Sequence, residues 1–164
     1  MSKINNIFFK KKILIYGLGK SGISTYNFLR QRAKIKLFDD NPQNNFRFDK
    51  KSLSFTKILK CDFDFIIISP GIDFSKCKLS KYLKQNSSKV YTDFDVFYSF
   101  FSNDSVTITG TNGKSTTAKL LYDVLRDQKK DVRLVGNIGN PVLSEKKITK
   151  KTFFVIEASS YQLD

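Results

Sequence analysis

The sequence predicts an α/β protein with parallel sheets, and three observations carry that expectation. Short apolar runs bounded by turn residues alternate with stretches of helical spacing along most of the 164 residues. Two of these runs lead directly into a glycine-rich turn followed by a helix. The alternation also stops at a polar break, "SNDS" (102–105), and then restarts, which divides the chain into an expected domain at 1–101 and a second at 102–164.

The elements follow in order. "KKILIYG" (11–17) has the continuous apolar run of a buried strand, and "SGISTYNFLRQR" (21–32) places Ile23, Tyr26, Phe28 and Leu29 at helical spacing. "AKIKLFD" (33–39) alternates as a second strand, and "DFIIIS" (64–69) is a third, closed by Pro70-Gly71. "SKYLKQN" (80–86) reads as helix, "KVYT" (89–92) as a short strand and "DFDVFYSFF" (93–101) as an aromatic helix. After the break come strand "VTITG" (106–110), helix "KSTTAKLLYDVLRDQ" (114–128), strand "DVRLVGN" (131–137), a loop with Gly139 and Pro141, and strand "KTFFVIE" (151–157). The second unit holds about 60 residues and ends soon after a strand. A parallel sheet needs more cover than that, so the chain is expected to be the truncated start of a longer protein.

Composition narrows the classes. With 40% apolar and 27% charged residues, no long apolar run and no signal-peptide pattern, the expectation is a cytoplasmic protein with no membrane partner, acting as a monomer. Histidine is absent and Cys61 and Cys77 are the only cysteines, so this sequence assembles neither a zinc cluster nor a Cys-His nucleophile. The net charge of +14 raises the question of nucleic acid. The lysines, however, are scattered at the edges of apolar runs, without an arginine-rich helix or an aromatic-glycine RNA signature. No nucleic-acid partner is expected, and attraction to small polyanions fits the charge equally well.

Three stretches carry chemistry. Gly17-x-Gly19-x-x-Gly22 follows a strand and opens a helix, where glycines give a tight turn and close backbone approach to a phosphate, and the helix dipole favours an anion. Asp39 and Asp40 stand about 20 residues further on, at the end of the next strand, where a ribose-binding acid belongs in a Rossmann-like domain. On these residues alone a nicotinamide cofactor and a plain glycine turn with solvated aspartates both stay open.

The second stretch, "TGTNGKST" (109–116), is a shortened phosphate-binding loop. The usual loop has a glycine five residues before the one that precedes lysine, and here Ile108 stands at that position. Gly110, Gly113, Lys114 and Ser115 still supply permissive backbone, inward N–H groups, a phosphate-binding lysine and a hydroxyl for Mg²⁺. A polar turn capped by Thr111 or Asn112 is the plainer alternative. The third stretch is "FFVIEASS" (153–160), a strand ending in Glu157, where a carboxylate can face a magnesium ion beside such a loop.

The shortened loop resembles that of the Mur ligases and their folylpolyglutamate synthetase relatives. Within that group "GLGKSGIS" (17–24), "SPGI" (69–72), "GNIGNP" (136–141) and "EASSYQLD" (157–164) are similar, in order and spacing, to the D-glutamate-adding branch. The resemblance implies a Rossmann-like domain that holds the UDP part of a substrate instead of a dinucleotide, followed by the start of a P-loop ATP-binding domain. It implies Lys20 and Ser21 at the diphosphate, Asp39, Asp40 and Asn41 on the uridine side, and Ser69 and Gly71 completing that pocket. Asn137, Ser159 and Gln162 would face the muramoyl-alanine end. Gly110, Thr111, Asn112, Gly113, Lys114, Ser115 and Thr116 would hold ATP, with Ser115 and Glu157 toward Mg²⁺ and Lys114 and Glu157 as the catalytic pair.

The implied reaction is ATP-dependent amide formation through an acyl phosphate, joining D-glutamate to UDP-N-acetylmuramoyl-L-alanine in peptidoglycan synthesis. Family members continue into a segment with a carboxylated lysine and a histidine for a second Mg²⁺, then a domain that binds D-glutamate. These 164 residues hold neither, so the resemblance implies no ligase activity for them alone. A non-catalytic nucleotide-binding module and a sibling ligase adding another amino acid are the alternatives.

Overall fold

The computed structural model describes residues 6–48 and 50–159. The chain divides into two compact units, Met1–Phe100 and Phe101–Asp164. Each contains its own parallel sheet.

In the first unit the strands are β1 (Lys12–Tyr16), β2 (Lys34–Phe38), β3 (Phe65–Ile68) and β4 (Val90–Thr92), in the spatial order β2-β1-β3-β4. β1 lies inside, parallel to β2 and β3, and Ile13, Leu14, Ile15 and Tyr16 are all fully buried. A strand covered on both faces has no polar side to show, which is why its sequence is an unbroken apolar run. Helix α1 (Lys20–Leu29) carries the chain from β1 to β2. Leu14, Tyr16, Phe38, Ile58, Phe63, Ile66, Leu79 and Leu83 form one continuous cluster. Phe8 packs its ring against Phe65 and Tyr91.

Two short helices between β2 and β3 escape the periodicity reading: α2 (Pro42–Phe46) and α3 (Phe55–Leu59). Five residues are too few to show a 3.6-residue repeat. α2 is nevertheless started by its local chemistry, since the Asn41 side chain accepts from the Gln43 N–H at 3.0 Å and Pro42 sits in the first turn. Helix α4 (Ser80–Gln85) leads to β4, and α5 (Asp93–Phe100) follows without a loop. Thr92 and Asp95 close a reciprocal capping box at that junction. The Asp95 carboxylate accepts the Thr92 N–H at 2.6 Å, and the Thr92 hydroxyl accepts the Asp95 N–H at 3.3 Å.

In the second unit β5 (Ser105–Ile108), β6 (Val132–Gly136) and β7 (Phe153–Glu157) form a parallel sheet in the order β5-β7-β6. Helix α6 (Lys114–Asp127) buries Ala118 against Val132 and Val155. The long β6–β7 connection is tied down by Arg133, whose guanidinium pairs with Asp131 and, at 3.2 Å, with Glu145. Glu145 in turn accepts from the Asn140 side chain at 2.8 Å. Among the described residues no helix is long and apolar enough to cross a membrane.

The fold class read from the sequence is the one observed. The contrast between buried strand and exposed helix face gives a direct test. Leu14→Ala is expected to destabilise the first unit by about 2–5 kcal/mol, the usual range for emptying a leucine site in a packed core. Leu120→Ala, on a side chain 64% exposed, should stay within about 0.5 kcal/mol. Urea unfolding followed by circular dichroism measures both.

Candidate functional site

The first unit gathers its candidate residues at the C-terminal ends of β1, β2 and β3. Strand order reverses there: the chain leaves β1 for β2 on one side and returns to β3 on the other. Open parallel sheets offer a crevice at such a point. Gly17 ends β1 with φ +92° and donates its N–H to the Phe38 carbonyl at 2.9 Å. Its own carbonyl accepts the Ser69 hydroxyl at 2.7 Å. A methyl group on Gly22 would stand 1.8 Å from that same carbonyl, so α1 can start where it does only with glycine at this position.

Gly19 differs. Its φ is an ordinary −70°, and an added Cβ would meet nothing within 4 Å. Packing among the described residues gives no reason for glycine here. It is the N-cap of α1 and makes no side-chain cap bond, so the N–H end of α1 begins beside open space, with exposed Lys20 and half-buried Ser21 as its first residues. Gly71 likewise has open space around its Cα.

The side chains of Asp39, Asp40 and Asn41 all have partners within the first unit. Asp39 accepts the Leu18 N–H with one oxygen, at 2.5 Å, and the Asn41 N–H with the other, at 2.8 Å. It therefore ties the end of β2 to the glycine turn after β1. Asp40 accepts the Tyr16 hydroxyl at 2.7 Å, and its backbone carbonyl accepts the Lys78 ammonium at 2.8 Å. Burial, and then the Asp40 carboxylate, push the Tyr16 phenol well above its usual range, so it stays a donor.

One residue here has no forerunner in the sequence reading. Asp93, at the start of α5, is only 4% exposed, and its Oδ1 has no hydrogen-bond partner. Burial pushes its carboxyl up to about 6, while hydrogen bonding from the Ser21 side chain and from the first N–H groups of α5 pulls the other way. The signal was available in "YTDFDVF" (91–97), an aspartate placed directly after a strand among apolar residues.

In the second unit residues 109–113 join β5 to α6, and Lys114, Ser115 and Thr116 open the helix. Gly110 and Gly113 have φ of +139° and +76°, and Gly113, not Thr111 or Asn112, caps the helix, again without a side-chain bond. The Lys114 ammonium curls back over the loop and donates to the Gly110 carbonyl at 2.6 Å and the Thr111 carbonyl at 3.3 Å. Thr111, Asn112, Ser115 and Thr116 are exposed.

Glu157 ends β7, in register with Ile108, the last residue of β5, and with Gly136, the last of β6. It is 4% exposed, and its Oε2 has no hydrogen-bond partner. Asn137 follows β6 with its side chain exposed and its N–H on the Glu157 carbonyl at 2.9 Å. The loop, Asn137 and Glu157 are thus brought to one end of one sheet. Ser159 is half-buried just beyond, and Gln162 lies outside the described residues.

A buried carboxylate oxygen without a donor, beside a loop with an exposed serine hydroxyl, fits magnesium. That ion is commonly held by one or two carboxylates together with phosphate oxygens. Among the described residues no three His, Cys, Asp or Glu side chains gather into a cluster that would hold a metal without a ligand's help.

Fold and loops define an α/β protein with a strand, glycine loop and helix in each unit. The pattern of the Mur ligase MurD-like N-terminal domain matches residues 11–90, and that of the Mur ligase middle domain matches residues 108–164. The chain belongs to the Mur ligase family. It is similar to the UDP-N-acetylmuramoylalanine--D-glutamate ligase of Rickettsia bellii (strain RML369-C), with 35% identity over 94% of this chain and 35% of the relative. It is 33% identical to the protein of that name from Caldicellulosiruptor bescii, over 94% of this chain and 36% of the relative. With that from Bartonella henselae the identity is 32%, over 98% and 39%. The chain therefore spans little more than a third of the length of these curated relatives.

Two outcomes are expected at the first loop. Gly22→Ala should prevent the first unit from folding, whereas Gly19→Ala should leave its circular dichroism and urea midpoint nearly unchanged and weaken anion binding. Asp93 also gives a pH signature. Its folded value lies above its ordinary 3.8, so the stability it contributes is full below pH 3.8 and is lost as pH rises through about 6. The total is roughly 3 kcal/mol for a shift of about two pH units. Asp93→Asn should therefore gain stability over the natural chain as pH climbs from 4 to 7, in paired urea titrations.

Proposed function

We propose that the whole protein joins D-glutamate to UDP-N-acetylmuramoyl-L-alanine at the expense of ATP, in peptidoglycan synthesis. On this reading the first unit of this chain holds the UDP part of the substrate and the second holds ATP. The family membership supports the reaction class. The names of the relatives support the choice of D-glutamate. The single observation that carries the ATP reading is the buried, unpartnered Oε2 of Glu157 at the end of β7, in register with the strand that feeds the Gly113-Lys114-Ser115 loop.

The chemistry asks little covalent work of the protein. The alanyl carboxylate attacks the γ-phosphate of ATP and displaces ADP to give an acyl phosphate, and the amine of D-glutamate then displaces phosphate, with loss of a proton, to form the amide. Phosphoryl transfer is dominated by positioning and charge neutralisation. Lys114 would exchange its two loop carbonyls for phosphate oxygens, and the N–H groups from Gly110 to Thr116 would line the triphosphate. Ser115 and Glu157 would hold a magnesium ion, which neutralises phosphate charge when bound. In the first unit the start of α1, with Lys20 and Ser21, would take the diphosphate. Asp39, Asp40 and Asn41 would shape the uridine side chiefly through backbone, since their side chains already have partners. Asn137, Ser159 and Gln162 are assigned to the muramoyl-alanine end, on the resemblance alone.

Calorimetry with the 164-residue chain tests this. Lys114→Ala should weaken ATP binding at least about tenfold, a loss of about 1.4 kcal/mol or more. Glu157→Gln should leave metal-free ATP binding intact while removing the gain that magnesium gives. Binding that is indifferent to both substitutions would sink the ATP assignment. ADP release dependent on D-glutamate is expected from a full-length protein and not from these 164 residues alone. Its appearance with the 164-residue chain would contradict the division of labour proposed.

A further inference from the structure

Lysines that stand apart along the sequence gather at one end of the second sheet. All strands of a parallel sheet start at the same end, so the residues leading into β6 and β7 are brought together there. Lys129 and Lys130 precede β6, Lys150 and Lys151 precede β7, and Lys146 and Lys147 lie in the connection between those strands. The two approaches are tied at Asp131. Its carboxylate accepts the Thr152 hydroxyl at 2.5 Å and the Thr149 hydroxyl at 3.4 Å, and its carbonyl accepts the Phe153 N–H at 2.8 Å.

These six lysines are all exposed, and among the described residues none is in an ion pair. The neighbouring acids are engaged by arginine instead: Asp131 and Glu145 pair with Arg133, and Asp127 with Arg126. Asp104, just before β5, adds an exposed negative charge at the same end. Two of the lysines also occupy backbone that suits glycine better. Lys129, at φ +59°, closes α6: its N–H reaches the Arg126 carbonyl at 2.8 Å, and the Lys130 N–H reaches the Leu125 carbonyl at 3.1 Å. Lys147 has φ +54°. A long side chain at such positions is kept at a cost to the fold, which points to a use for its charge.

We propose that this lysine rim docks the second unit on an anionic lipid surface, through the headgroup phosphates. Residues 128–152 contain no Phe, Tyr or Trp to stack on a base, and Arg126 and Arg133 beside the rim are already paired, so nucleic acid would find charge without readout. Lipid phosphates ask for charge alone, and each lysine near such a surface adds to the attraction. This departs from the expectation of no membrane partner, which rests on the lack of a long apolar run; headgroup contact needs no spanning helix. The strands run from the rim to the Gly113-Lys114-Ser115 loop and Glu157, so docking would leave that loop clear.

The experiment is sedimentation of the 164-residue chain with vesicles of phosphatidylcholine, alone or mixed equally with phosphatidylglycerol. The chain should pellet with the mixed vesicles only, and salt of about 0.5 M should release it. Lys150→Gln with Lys151→Gln should weaken binding at least about tenfold. Lys81→Gln with Lys84→Gln removes the same charge from the first unit and should leave binding within about twofold. Lys129→Gly with Lys147→Gly should also weaken binding while the urea midpoint stays equal or rises, which separates the loss from misfolding. Several results would overturn the inference: no pelleting with mixed vesicles, equal losses from the two glutamine pairs, or release by ATP or Lys114→Ala, which would put the lipid phosphate at the glycine loop. Release by inorganic phosphate at matched ionic strength would assign the rim to the free anion, and tighter binding to a duplex oligonucleotide at equal phosphate concentration would assign it to nucleic acid. Either would equally sink the lipid reading.

Discussion

The first unit depends on one crowded carbonyl, that of Gly17. It ends the central strand, accepts the Ser69 hydroxyl at 2.7 Å, and is approached so closely by the start of α1 that a single methyl on Gly22 would collide with it. The N–H of the same residue is held by the Phe38 carbonyl, and the next N–H by Asp39. Three strands and a helix are therefore registered through the atoms of two residues. Because the backbone polar groups at this buried point all have partners, the helix begins in one place only, and its N–H end keeps a fixed aim.

The second unit solves the same problem with different means. Its glycine loop is exposed at Thr111, Asn112, Gly113, Ser115 and Thr116. Left-handed backbone at Gly113 sets the entry to α6, and the Lys114 ammonium supplies the fastening from within the loop. Glu157 is a buried carboxylate whose Oε2 has no hydrogen-bond partner among the described residues. Buried polar atoms are rarely left so, and those that are commonly answer to a bound ion or ligand.

How much of this could be read from the residues follows from the length scale of each signal. The long elements declare themselves, because "KKILIYG" and "KSTTAKLLYDVLRDQ" extend over enough residues for burial to leave a pattern. Helices α2 and α3 are too short for that, although Asn41-Pro42 marks the beginning of the first in local terms. Motif spacing located both glycine loops and Glu157. It could not disclose that Asp39 and Asp40 spend carboxylate oxygens on Leu18 and Tyr16, because those bonds join strand ends that are far apart in sequence. Asp93 shows in the sequence only as an aspartate among apolar residues after a strand. Its significance comes from α5 packing beside α1, a tertiary fact with no counterpart in spacing.

The posture of Lys114 has a consequence for how tightly the loop can hold what it binds. An ammonium in water is surrounded by solvent that must be stripped away, and a flexible side chain must be ordered, before either can serve a ligand. Here the charge already rests on two carbonyls of its own loop. An anion there would have to displace those oxygens, but it would meet a side chain whose ordering has already been met by folding.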